Sequence, residues 1–188
     1  GLNTADLNGQ DAWTGDTGYD VQETVKYEGA KAVQRVNRAT DTGIIRAITV
    51  TPIGRVIVYM RRSNTNGKGY FVLKSATDSR VYILFNDGAN IQAYNNDGTP
   101  GYDTLQAYVA DTWYKITIDF NSTTGKFDVY VNDIIKITAA TMLSTGNINQ
   151  IQFNTDVISG TTYWDDIWVS TASERPAFLF NLVGWKNN

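Results

Sequence analysis

The sequence predicts an all-β fold of antiparallel strands, and three observations point there. Short apolar runs alternate with polar residues at a period of two. Clusters of Gly, Asn, Asp and Thr separate these runs. No segment carries a convincing helical period. The chain has 188 residues, 42% of them hydrophobic and 19% charged. That suits one domain with a substantial core and argues against disorder.

The clearest strand is Trp113 to Phe120. Tyr114, Ile116, Ile118 and Phe120 point to one side; Trp113, Lys115, Thr117 and Asp119 point to the other. Lys126 to Asn132 repeats the pattern with Phe127, Val129 and Val131 inward. The loop between them, Asn121-Ser122-Thr123-Thr124-Gly125, is short and ends in Gly, so the two runs read as an antiparallel hairpin. Asn121-Ser122-Thr123 also matches a glycosylation sequon, which is compatible with a surface turn.

Further strands are predicted at Tyr19–Val25, Ala30–Val36, Ile44–Val50, Arg55–Arg61, Tyr70–Lys74, Val81–Phe85 and Ile91–Tyr94. The remainder are Leu105–Val109, Ile134–Thr138, Ile148–Phe153 and Tyr163–Val169. Asn66-Gly67, Asp87-Gly88 and Asp97-Gly98 suit the positive φ of tight turns. Thr138–Leu143 has room for one turn of helix. Many short strands with regular turns read as a sandwich or a barrel.

The organisation reads as one domain over 1–171 and an apolar tail over 172–188. Pro176 ends strand pairing there. Phe178, Phe180, Leu182 and Trp185 then follow closely, with Leu179 and Val183 among them. Such a patch needs a cover, either its own core or a neighbouring subunit. Phe178, Phe180, Leu182 and Trp185 are thus candidate assembly residues.

Composition excludes several function classes. The chain has no His and no Cys. Ser-His-Asp and Cys-His nucleophile systems are impossible, and a zinc or copper site lacks its usual ligands. Net charge is -3, and Arg61-Arg62 is the longest basic run. No footprint for nucleic acid follows. No apolar stretch approaches membrane-spanning length, so no membrane insertion is expected. No signal peptide is evident and the first residue is Gly1, as expected of a mature form, an excised domain or a trimmed chain.

The stretch Asp111 to Phe120, then Gly125 to Asn132, resembles the central hairpin of the concanavalin A-like lectin/glucanase superfamily. It is most similar to the laminin-G-like jelly-roll branch. The run Tyr163-Trp164-Asp165-Asp166-Ile167-Trp168-Val169 resembles that superfamily's closing strand. Leu7 to Trp13, with Tyr27 to Val33, resembles its opening. The resemblance covers roughly Leu7 to Val169. It implies a two-sheet antiparallel jelly-roll sandwich, and it leaves the activity open because many activities share this fold.

The resemblance also implies a structural Ca²⁺ where first and last strands meet. Asp165 would be its C-terminal ligand, and Asp11 or Glu28 would serve the N-terminal side. Laminarinase-type relatives carry Glu-x-Asp-x-x-Glu on one strand face, which this chain lacks. Its Glu residues are Glu23, Glu28 and Glu174, and none is paired at that spacing. The adjacent Asp165 and Asp166 face opposite sides of a regular strand, so they cannot flank one glycosidic bond. The jelly-roll alginate lyases use His, which is absent.

Sugar binding needs aromatic faces beside hydrogen-bonding side chains. With Ile167 and Val169 inward, Trp164 and Trp168 are expected on the outer face. Tyr94 and Tyr102 flank the oxygen-rich loop at Asn96, and these five residues are the candidate ligand contacts. The expectation is therefore a non-catalytic, lectin-like domain at a cell or particle surface, or otherwise extracellular, that binds a glycan or such a surface. The rival is a structural subunit (virion decoration, fibre or coat protein) that forms homo-oligomers or packs on neighbouring coat subunits through its tail, and a polysaccharide-active enzyme is a distant third.

Overall fold

The computed structural model describes residues 2–36, 38, 42–156 and 159–171. The tail residues Phe178, Phe180, Leu182 and Trp185 lie outside the described residues. The first half of the chain forms β1 (Trp13–Gly15), β2 (Tyr19–Gln22), β3 (Ala32–Val36), β4 (Ile44–Thr51), β5 (Ile53–Arg62), β6 (Lys68–Lys74) and β7 (Ser79–Phe85). The second half forms β8 (Asn90–Asn95), β9 (Gly101–Ala107), β10 (Tyr114–Asn121), β11 (Lys126–Val131), β12 (Ile134–Thr141), β13 (Ile148–Asp156) and β14 (Thr161–Thr171).

The strands form two antiparallel sheets of seven. The first runs β1-β4-β13-β6-β7-β8-β9, and the second runs β12-β11-β10-β5-β14-β3-β2. The expected two-sheet jelly-roll sandwich is this architecture. The first sheet's core face carries Phe71, Leu73, Ile83, Phe85, Ala93, Ile151 and Phe153. The second sheet answers with Val56, Val58, Met60, Ile116, Ile118, Val129 and Ile167. Alternation in each strand sends one side chain inward and the next outward, so burial of one face drives the pairing.

The predicted hairpin is β10 with β11. Phe120 pairs with Phe127 and Asn121 with Lys126. The Asn121 Oδ1 accepts the amides of Thr123 and Thr124 at 3.1 Å each. Gly125 then turns at φ +67, a conformation that suits glycine.

Three local readings need correction. Thr138–Leu143 does not form a helical turn, because β12 continues to Thr141 through a bulge. There Ala139 has φ +52 and its amide donates to Asp128 Oδ1 at 2.7 Å. The strand predicted at Leu105–Val109 begins earlier, at Gly101. Asn96 to Pro100 is a hairpin turn that places Tyr102 opposite Tyr94. Trp13–Gly15 pairs with β4 although no strand was predicted there.

A fourth correction concerns the closing strand. Asp165 pairs with Tyr59, yet the next paired residue is Trp168 with Ile57. One extra residue sits between them, and Asp166 has φ +47. This bulge shifts the alternation, so Trp164 and Ile167 both face the core. Trp164 is 0% exposed. Its ring stacks on Phe153 at 4.7 Å, and its Nε1 donates to the Tyr70 carbonyl at 3.2 Å. Trp164 is a core residue, not a surface ligand contact.

Candidate functional site

The outer face of the first sheet gathers tyrosines. Phe71, Ile83 and Ala93 point inward, so Tyr70 and Val72, Tyr82 and Leu84, and Gln92 and Tyr94 point out. Register then aligns them across strands. Gln152 lies opposite Val72, Val72 opposite Tyr82, and Tyr94 opposite Tyr102. A second row places Asn154 opposite Tyr70, Tyr70 opposite Leu84, Leu84 opposite Gln92, and Gln92 opposite Thr104.

Tyr94 and Tyr102 meet edge to face at 5.1 Å, and Tyr70 and Tyr82 at 6.4 Å. Val72 and Leu84 belong to no inter-sheet cluster yet are 1% and 4% exposed. Both are shielded from solvent although they point away from the other sheet. Tyr102 stands 42% exposed at the edge. Burial pushes the phenols of Tyr70 and Tyr102 upward, and neighbouring phenols add to the effect, so both stay neutral hydrogen-bond donors at physiological pH. Gln92 is held in place: its Nε2 donates to Thr104 Oγ1 at 3.2 Å, and its Oε1 accepts from Asn86 at 2.9 Å. Rings with fixed amides and hydroxyls beside them can stack on an apolar ring face and hydrogen-bond its rim.

Of the expected ligand residues, Tyr94 and Tyr102 are part of this face. Asn96 is half-buried in the turn beyond it, where its amide donates to the Thr141 carbonyl at 3.0 Å. Trp168 lies on the other sheet, outward and half-buried next to Ile57. The five residues thus do not form one site.

No family model and no curated protein matches this sequence. Solved structures do match. A sialidase aligns at TM-score 0.70 and 10% identity over 89% of this chain. The chain spans only 18% of that sialidase. The carbohydrate-binding module CBM66 from Bacillus subtilis aligns at TM-score 0.56 and 12% identity, covering 85% of this chain and 96% of the module. The alginate lyase AlgAT5 of polysaccharide lyase family 7 aligns at TM-score 0.56 and 11% identity, covering 88% and 84%. This chain has the same two-sheet sandwich fold. At these identities the likeness shows fold and not activity.

Of the residues expected to hold calcium, Asp165 and Glu28 come together in this sandwich, and Asp11 lies apart from them. Asp165 Oδ2 accepts the amides of Tyr27 at 2.7 Å and Glu28 at 3.4 Å, and its Oδ1 accepts the Asp166 amide at 2.8 Å. Asp11 is paired with Arg46 on β4, in the other sheet, at 2.7 Å. Glu28 does lie close enough to Asp166 to raise its carboxyl, after burial as the main cause. Among the described residues, no group of three or more acidic side chains is arranged to hold a metal ion. Asp165 is an acceptor that ties the loop before β3 onto β14.

That loop places Tyr27 on the outer face of the second sheet. Its ring stacks on Tyr59 at 3.7 Å and meets Trp113 edge-on at 6.3 Å. Beside it, Arg55, Ile57, Lys115, Thr117, Tyr130 and Asp133 line a shallow cleft. Its charges are paired, Arg55 with Asp119 at 2.5 Å and Lys115 with Asp133 at 2.7 Å.

Sequence reasoning missed Tyr70 and Tyr82. The signal was present: each sits at the outward parity of its predicted strand, beside the inward Phe71 and Ile83. Alternation alone does not say which strands are neighbours, so the cluster was invisible.

Proposed function

We propose that this domain is non-catalytic and binds a carbohydrate on the tyrosine face of its first sheet. One observation carries the reading: Tyr70, Tyr82, Tyr94 and Tyr102 share that face with Gln92, Thr104 and Asn154. Aromatic rings stack on the C–H faces of sugars, and the amides and hydroxyls between them suit sugar hydroxyls. The absence of any His supports a binding role over an enzymatic one. The two register rows also contain no carboxylate to act as acid or base. Display outside the cell or on a particle surface, where such ligands are met, belongs to the same proposal.

The test is a glycan array followed by calorimetry on the hits, with the double variant Y82A/Y94A as control. Binding that the double variant loses while keeping its fold supports the reading. An array without hits, alongside an oligomer that dissociates when 178–185 is deleted, would replace it with the structural-subunit reading.

A further inference from the structure

We infer that the glycan bound on this face is an uncharged, extended chain of about four to five sugars lying across the strands, one sugar to each strand gap. The inference rests on the carbohydrate-binding reading and adds the ligand's charge, length and direction.

Direction follows from where the rings sit. Each of β6, β7, β8 and β9 contributes one outward tyrosine: Tyr70, Tyr82, Tyr94 and Tyr102. A ligand running along a single strand would meet one ring. A ligand running across the strands meets Tyr82, Tyr94 and Tyr102 in succession.

Length follows from strand spacing. Gln152 and Val72 are buried, but the row from Asn154 on β13 to Thr104 on β9 is open at both ends and crosses five strands. Four gaps of roughly 4.8 Å span about 19 Å. A pyranose in an extended chain advances by about one such gap, so successive sugars keep step with successive strands. Val72 and Leu84 are themselves buried, so the contacts fall to the side chains around them.

Charge follows from the side chains in the two rows. Gln152, Val72, Tyr82, Tyr94 and Tyr102 make one row; Asn154, Tyr70, Leu84, Gln92 and Thr104 make the other. All are uncharged, so nothing there pairs with a carboxylate or sulfate. Asp87 and Asp156 act on the Tyr70 phenol from beyond the rows, and their field disfavours an anionic sugar. Lys68 stands 3.9 Å from Asp87 and is spoken for. Lys74 lies one row further, opposite Gln150, at the β6 end and not beside Tyr94 or Tyr102.

The experiment is calorimetry of the full chain against two sets of oligomers of graded length. Cello-, laminari- and manno-oligosaccharides supply the neutral set; oligogalacturonate and alginate oligomers supply the acidic set. One neutral series should gain affinity up to four or five units and then level off. Matched acidic oligomers should bind at least about tenfold more weakly. Y102A should shorten the plateau by about one unit. Acidic oligomers that bind as well as neutral ones overturn the inference, as does affinity that is flat from the dimer upward. In both cases, loss of binding in Y82A/Y94A would still uphold the face as the site. Neutral and acidic sets that both fail to bind sink the underlying reading, and the inference with it.

Discussion

Asp165 Oδ2 accepts the backbone amide of Tyr27 at 2.7 Å, joining the last strand to a loop 138 residues earlier. The same carboxylate also takes the amides of Glu28 and Asp166. Removing it in D165A leaves those amides without their acceptor, at about 1–3 kcal/mol for each one that stays buried. Relief of a buried charge offsets part of this. A net loss of about 2–3 kcal/mol is expected for D165A, and less for D165N, which keeps one acceptor. Urea denaturation at neutral pH checks the order.

Burial lifts the Asp165 carboxyl from its ordinary 3.8 to about 6, against the opposing pull of the Tyr27, Asp166 and Glu28 amides. Between these values the folded chain holds a proton that the unfolded chain has released. Stability from this group therefore rises as pH falls from about 6 toward 4, and its charge penalty is complete above about 6. Other carboxylates titrate too, so the informative quantity is the difference from D165N. Wild type should gain on D165N by about 2 kcal/mol on acidification from pH 7 to pH 4.5. A gap that is constant with pH, measured by urea melts, would contradict this.

Trp164 fills the space between the sheets against Phe153 and Tyr19. W164A should cost about 3–5 kcal/mol. W164F keeps the ring packing and loses the bond to the Tyr70 carbonyl, for about 1–2 kcal/mol. A folded W164A of near wild-type thermal midpoint would show that the ring is not in the core.

Arg62 is fully buried, and its guanidinium donates to Thr162 Oγ1 at 2.7 Å, Asn64 Oδ1 at 3.1 Å and the Ser159 carbonyl at 2.9 Å. It ties the end of β5 to the start of β14. R62A should destabilise by about 2–4 kcal/mol, as several acceptors lose their donor together. Hydrogen exchange should show the loss first at 159–163.

Tyr94 and Tyr102 are outward and partly exposed, so Y94A and Y102A should move stability by under about 1 kcal/mol. Each should weaken glycan binding by about tenfold. The combination of intact melting and lost affinity separates a binding role from a structural one.

Much of the fold was legible because period-two alternation and turn chemistry are local. The hairpin of β10 and β11 needed only its own residues and the Asn121–Gly125 loop. The closing strand was legible in position and not in phase. Strict alternation put Trp164 outside, but the bulge at Asp166 turned it inward. That bulge is held by Asp165 accepting amides from a loop far away in sequence, which no local pattern reveals. The candidate site was half legible. Tyr94 and Tyr102 lie on one hairpin and were named together, whereas Tyr70 and Tyr82 join them only through the order β13-β6-β7-β8-β9.

The sequence by itself determined the all-β class, most strands, the inward residues of regular strands and the lack of histidine-based chemistry. These depend on residue type and near neighbours along the chain. Only the tertiary structure decided that Trp164 is core, that Asp165 and Asp11 belong to separate contacts, and that four tyrosines share one face. Those outcomes depend on which strands lie side by side, and strand order is set by burial across the whole sandwich.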